Sequence, residues 1–168
     1  MDGTGLVTEE AERLDFEPFF EAEYPRLVRM MYLLTGDAEE AEDLAQEALA
    51  RAFERWPKIS VMATPGGYVY KTALNLSRKR GRRRHLQARE VEDRPGHDDL
   101  GSAETRSDVT RALASLPVGE REAVVLVEWL GMGSEEVANL LGIAPSSVRS
   151  RLHRARGALR RQLEIDDA

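Results

Sequence analysis

The stretch SEEVANLLGIAPSSVRSRLHRARG, residues 134–157, decides the fold. Ser134 is placed to cap a short helix running to Leu141, with Glu135 and Glu136 near its positive end. Gly142 stops that helix, and Ile143-Ala144-Pro145 turns the chain. A longer helix starts at Pro145, where the missing amide proton does no harm, and runs to about Leu163. Helix, glycine-containing turn, helix is the helix-turn-helix pattern. Val137, Ala138, Leu141, Ile143, Val148 and Leu152 are spaced to lock the two helices together, and Ala138 is small enough for them to cross closely. The longer helix then presents Ser146, Ser147, Arg149, Ser150, His153 and Arg154. Short hydroxyl side chains near its N-terminus allow close approach to DNA, and arginines one turn on reach base edges or phosphates. The plainer reading is a three-helix bundle with a solvated arginine face. Six Arg and no acid across residues 145–163 argue against it.

Working outward, the rest of the chain also reads as helix. Before the motif, Val109, Leu113 and Leu116 begin a helix that Pro117 breaks, and residues 120–130 form an apolar helix around Val124, Val127 and Leu130. Near the other end, Phe16, Phe19, Phe20, Leu27, Val28, Met31 and Leu34 have helical spacing, with Pro25 expected to kink or restart the helix. Asp37 caps the next helix, with Glu40 three residues on as in a capping box. Ala41, Leu44, Ala45, Ala48, Leu49, Ala52, Phe53 and Trp56 form an unbroken apolar stripe over that helix. Pro57 should end it, and a loop should run from Lys58 to Thr64. Pro65 then opens a helix that buries Val69, Ala73 and Leu76 and exposes Lys71, Asn75, Arg78, Lys79 and Arg82. The segment VEDRPGHDDLGSAETRSD has few apolar groups and reads as a linker. The expectation is an all-α protein of two small helical domains, residues 14–90 and 108–163, joined by an acidic linker at 91–107.

Charge separates the same pieces. The chain of 168 residues carries a net charge of −6. Residues 1–63 sum to −9, residues 64–94 to +6, residues 95–110 to −3 and residues 111–168 to zero. Such segregation points to polyanion binding by part of the chain and another partner for the acidic part. With no cysteine, disulfides, thiolate metal sites and cysteine nucleophiles are excluded, and His85, His97 and His153 are too scattered for a histidine metal cluster. No cofactor is expected. The longest apolar run, Ala123 to Val127, is far too short to span a membrane, and the acidic N-terminus lacks a signal segment, so a cytoplasmic protein is expected.

In the first domain, the block Arg78–Arg84 (RKRGRRR) continues an amphipathic helix, which favours phosphate contact over a flexible basic run. Tyr68 and Tyr70 begin that helix and could stack on unpaired bases, or Tyr68 could be core and Tyr70 surface. Asp43, Gln46, Glu47 and Glu54 line one face of the 38–56 helix. That face is either the solvated side of an amphipathic helix or a docking stripe for a basic protein surface, and spacing alone does not choose.

Three segments carry a resemblance: AEDLAQEALARAFERW (41–56), PGGYVYKTALNLSRKRGRRR (65–84) and LASLPVGEREAVVLVEWLGMGSEEVANLLGIAPSSVRSRLHRARGALRRQL (113–163). Together they resemble the extracytoplasmic-function (ECF) group of bacterial sigma-70-family sigma factors, and the pattern after Pro65 looks most like the actinobacterial SigE-like branch. The resemblance implies binding to core RNA polymerase, at the β′ clamp helices and the β flap, and recognition of promoter DNA. Asp43, Gln46 and Glu47 would meet the clamp helices. The loop Lys58–Thr64 with Tyr68, Lys71, Asn75, Arg78, Lys79 and Arg82 would read and help open the −10 element, Asn75 standing at the family's promoter-contacting position. Ser146, Ser147, Arg149, Ser150, His153 and Arg154 would read the −35 element. The resemblance also implies an anti-sigma partner. Tyr68 stands where many relatives carry Trp, and Gly66-Gly67 should loosen the loop before it. A chain ending at Ala168 is expected to lack an appended C-terminal regulatory domain.

Two readings from other classes compete. A stand-alone helix-turn-helix regulator would be an obligate dimer on palindromic sites, and leaves the Asp37–Trp56 acidic face unexplained. A metal-dependent nuclease could use Glu39, Glu40, Glu42 and Asp43, but these lie on a helix exterior with no histidine or nucleophile nearby.

Overall fold

The computed structural model describes the backbone of residues 4–91 and 108–166, with side chains over 16–88 and 108–162. Its described elements are all helical: α1 (Thr4–Thr35), α2 (Ala38–Glu54), α3 (Trp56–Ile59), α4 (Pro65–Val91), α5 (Asp108–Ala114), α6 (Val118–Val124) continued by a π turn (Val125–Trp129), α7 (Ser134–Leu141) and α8 (Pro145–Asp166). The expected linker falls almost wholly outside the described residues.

α1, α2 and α4 form the first module. Alanines 41, 45, 48 and 52 of α2 are fully buried, and side chains this small let neighbouring helices approach closely. Leu27, Met30 and Met31 of α1 and Val69, Ala73 and Leu74 of α4 fill the space around Leu44 and Leu49. Each fully buried side chain of the larger kind contributes roughly 1.5–3 kcal/mol. An aromatic cluster closes one end, with Phe16 and Phe19 each packing on Trp56 at 5.0 and 4.9 Å between ring centres. In the second module, α6, α7 and α8 close around Ala123, Leu126, Val137, Val148 and Ala155.

Several local expectations are revised. α1 runs unbroken through Pro18 and Pro25. Pro25 is solvent-exposed, as is Glu21 one turn back, so water can satisfy the carbonyl that the proline leaves without a partner. Pro57 does not end the helical run. α2 stops at Glu54, and Pro57 lies in the first turn of α3, where its missing N–H is harmless. Gly66 and Gly67 lie inside α4, not in a loop before it. Asp37 does cap α2, accepting the Glu40 amide at 3.0 Å, but the Glu40 carboxylate turns to Arg84 instead of completing a box. The cap of α7 is Gly133, not Ser134; the Gly133 amide donates to the Glu136 carboxylate at 3.2 Å. The apolar stretch 120–130 contains the π turn, and this extra residue per turn buries Val125 and Leu126 while leaving Val127 and Leu130 half-buried.

The two tyrosines exchange the places suggested by the plainer reading. Tyr70 is buried and donates its hydroxyl to Glu23 of α1, whereas Tyr68 is half-buried. Burial, then the hydrogen bond to Glu23, pushes the Tyr70 phenol well above its ordinary value. A raised folded-state value means the neutral phenol stabilises the fold fully below about pH 10, and this contribution is lost as pH rises toward the folded value. Tyrosinate absorbance of the chain minus that of Tyr70→Phe should therefore appear only together with loss of the helical circular dichroism signal. Ionisation of Tyr70 with the helices intact would contradict this packing.

Candidate nucleic-acid interface

Gly142 ends α7 with a left-handed backbone, φ 66°, which glycine adopts without strain. Three residues later Pro145 opens α8. Val137, Ala138 and Leu141 bury against Val148 and Leu152, and Ile143 is half-buried in the turn. This lock fixes which side of α8 faces outward. Ser146, Arg149, Ser150, His153 and Arg154 are all exposed and share one stripe, with Ser147 half-buried at its edge. Two arginines of α8 are held from behind: Arg154 donates to Glu120 at 2.8 Å, and Arg156 pairs with Glu128. Arg151 lies across Gly119, where a Cβ would come within 2.8 Å of its guanidinium.

In the first module, Lys71, Asn75, Lys79 and Arg82 form an exposed stripe along α4. Tyr68, Thr72, Asn75 and Lys79 line one wall of a polar cleft of about 420 Å³, and Arg51, Glu54 and Arg55 line the other. Sequence reasoning did not select these two arginines. Their signal was faint: two cations four residues apart at the end of an otherwise acidic helix. Val61 and Met62, in the loop before α4, are exposed.

The basic block does not act as one surface. Arg80 and Arg84 reach across to α2, pairing with Glu47 at 3.2 Å and Glu40 at 2.7 Å, with the Arg84 side chain still 59% exposed. Arg78 turns to the other module and makes a bidentate pair with Glu122 of α6, Nε to Oε1 at 2.8 Å and Nη2 to Oε2 at 2.6 Å. The Glu122 side chain is only 5% exposed. Of the acidic stripe, Asp43 and Gln46 face solvent, Gln46 donating to the Tyr24 hydroxyl at 3.3 Å, while Glu47 is half-buried between Arg51 and Arg80.

Arg121, also absent from the sequence reading, caps two helices at once. Its guanidinium donates to the carbonyls of Leu113, Ala114 and Leu116 at the end of α5, and to Leu34 at the end of α1 at 2.8 Å. Helix C-termini leave such carbonyls unsatisfied and attract cations. Burial lowers its pKa, against the pull of neighbouring Glu122. Arg121→Ala should cost about 2–4 kcal/mol by urea unfolding, from several lost charge-assisted bonds. Arg121→Lys should recover less than half, since an ammonium cannot reach four carbonyls spread over two helices. Full rescue by Lys would contradict the capping role.

Taken together, the helix-turn-helix face and the basic groove define a two-module helical protein that handles DNA. The family model described as Sigma-70 region 2 matches residues 19–86, and the one described as Sigma-70, region 4 matches residues 106–159. The chain is 33% identical over 161 residues to the RNA polymerase sigma-E factor of Streptomyces antibioticus, covering 94% of this chain and 89% of that one. It is 32% identical over 154 residues to the ECF RNA polymerase sigma factor SigM of Mycobacterium tuberculosis, covering 90% and 79%. Among solved structures, the sigma factor RpoE in complex with the anti-sigma factor NepR from Bartonella quintana matches with a TM-score of 0.75 at 27% identity, over 90% of this chain and 98% of that one. CnrH in complex with the cytosolic domain of CnrY has the same fold, with a TM-score of 0.69. The chain belongs to the ECF group of the sigma-70 family. It binds core RNA polymerase and directs promoter recognition and transcription initiation. No described helix is long and apolar enough to cross a membrane.

Proposed function

We propose that residues 14–90 dock on core polymerase and read the −10 element, that 91–107 form the connection, and that 108–163 read the −35 element. One observation supports this reading above others. Each module turns a single continuous polar stripe of one helix to solvent, and on α4 the neighbouring Arg80 and Arg84 are paired to its side with carboxylates of α2. On α8, Arg149, Ser150, His153 and Arg154 discriminate bases in the major groove at about 1–3 kcal/mol per good pair, with Ser146 and Ser147 admitting the helix to the groove. On α4, Lys71, Lys79 and Arg82 hold phosphates, and Asn75 with Tyr68 takes an unpaired base from the opened strand. Capture of that base favours melted over duplex DNA, so binding energy drives an opening equilibrium. Arg55 and Arg51, the latter paired with Glu47, line the same cleft opposite Tyr68 and Asn75. Asp43 and Gln46, with Glu47 behind them, meet the β′ clamp helices, and the second module reaches the β flap. The polymerase performs all covalent chemistry and this chain none. It works in the cytoplasm, where polymerase and promoter are. RpoE of Bartonella quintana forms a complex with the anti-sigma factor NepR, and this chain too takes an anti-sigma partner.

Run-off transcription with purified core polymerase on a genomic promoter library tests the reading, and discrete starts that depend on this chain are expected. Arg149→Ala with Arg154→Ala should abolish promoter-specific initiation and leave polymerase binding intact; loss of both would make these residues structural. Lys79→Ala should weaken binding uniformly across sequences and lower the salt slope by about one. Asp43→Arg should block polymerase binding with unchanged circular dichroism, and unaltered affinity would remove the docking assignment.

A further inference from the structure

A larger cavity opens where α4 meets α6 and α8. It measures about 840 Å³, and one buried apolar cluster running through both modules holds its walls in place. α4 contributes Arg78, Arg82, Arg84 and His85 to the lining, and α6 and α8 add Arg121 and Arg151. The one carboxylate in the lining is Glu122. Charge in this cavity is not balanced. Glu122 is taken by Arg78, and Arg84 draws Glu40 from α2. Arg121 is bonded to neutral carbonyls, which leave its charge in place. Arg82 and Arg151 have no carboxylate partner among the described residues. Five guanidiniums thus share two carboxylates. Cations crowded around a half-enclosed space repel one another, and an anion placed among them offsets that repulsion.

The shape of the lining points the same way. Arg151 is half-buried and lies over Gly119, so its guanidinium is carried on the wall of α6. Gly81 sits in the interior of α4, where glycine weakens a helix. Packing does not account for it: nothing lies within 4 Å of the Cβ it lacks, and it lines the open cavity. Leu86 and Val118 also line the cavity and are 60% and 58% exposed. The size is that of a small-molecule site. Guanidiniums take phosphate oxygens in pairs, and the bare backbone at Gly81 admits a ligand to close range. The two unpaired arginines come from separate helices. A single carboxylate satisfies one of them, whereas a string of phosphates carries charge at each unit and can meet both.

We propose that this cavity binds a free oligophosphate, as in a nucleoside triphosphate or inorganic tripolyphosphate, with Arg82 and Arg151 taking phosphates from opposite walls and Gly81 leaving room between them. His85 supplies a further donor, and Leu86 with Val118 gives a nucleotide base an apolar place to lie. The site is a property of the protein by itself. Its consequence for transcription rests on the sigma-factor reading: Arg82 also belongs to the outward stripe of α4, so a bound oligophosphate withholds that cation from promoter phosphate.

Isothermal titration of the full-length protein at physiological ionic strength tests the site, with ATP, adenosine and inorganic tripolyphosphate as probes. ATP should bind once per protein molecule, and adenosine should not bind. Arg151→Gln should weaken ATP by about tenfold or more through lost charge-assisted bonds. Gly81→Leu puts a better helix former into the open space, so it should raise the urea midpoint while weakening ATP by a similar factor. Arg83→Gln, the same loss of charge at an exposed residue of α4 outside the lining, should leave the affinity alone. Tighter binding of ATP than of tripolyphosphate makes a nucleotide the source of the phosphates. Equal affinities with the same dependence on Arg151 make the inorganic form the source, and either result supports the site. No saturable binding of ATP or tripolyphosphate overturns it, as does an equal loss with Arg83→Gln or a folded Gly81→Leu protein of parental affinity. If Arg151→Gln weakens binding of a short DNA duplex as much as binding of ATP, Arg151 belongs to a DNA surface and the proposal also fails. Neither polymerase nor promoter enters the measurement, so failure of the sigma-factor reading leaves its result standing.

Discussion

Glu122 places a carboxylate in the packed interior of α6, beside Ala123, Val124 and Val125, where a lone charge would be severely penalised. Its counter-ion is not in the same module. Arg78 supplies it from α4, more than forty residues back in the chain, and the pair raises the affinity of Arg78 for its proton through the hydrogen bond itself. The two flanking residues make comparable ties. Glu120 holds Arg154 of α8, and Arg121 satisfies carbonyls at the ends of α5 and α1. Three consecutive side chains thus connect the DNA-facing helix, the first helix of their own module and both long helices of the other. Much of how the two modules sit together follows from where these three charges find partners.

The same constraint divides the arginines. A helix as basic as the middle of α4 would repel itself unless some charges were neutralised, and α2 offers carboxylates at the right rise. Arg80 and Arg84 are one turn apart and meet Glu47 and Glu40 in order. Lys79 and Arg82, on the other side, stay outward. The acidic face of α2 is therefore two surfaces. Its edge toward α4 is internal and holds the basic helix in place, while Asp43 and Gln46 remain presented to a partner.

Helical character, the two modules and the helix-turn-helix were legible because each rests on short-range rules: apolar spacing at 3.6 residues, a left-handed glycine at 142, a proline at 145. What escaped was of two kinds. Where the local signal was degenerate, the reading slipped. A run of five apolar residues at Ala123–Val127 has no periodicity with which to place a π turn, and Pro57 reads equally as a stop or as a first-turn residue. Where the partner lay far away in sequence, there was no signal at all. Nothing in RKRGRRR tells which arginine meets Glu47, which meets Glu122 and which meets solvent, because that depends on how α2 and α6 pack around the helix. Arg121 was missed for the same reason, since the carbonyls it caps exist as targets only once two helices end side by side.

Inward pairing also bears on why such a chain works through a larger assembly. Non-specific affinity for DNA grows with the number of phosphates a protein neutralises. Here Arg78, Arg80, Arg84, Arg154 and Arg156 already have carboxylate partners, and the whole chain is net −6. The cations left to meet phosphate are fewer than composition suggests. Such a balance lowers the non-specific, phosphate-driven part of DNA affinity. The carboxylates on the α4 side of α2 are thus spent on neutralising arginines of the basic helix, which restrains that helix toward DNA.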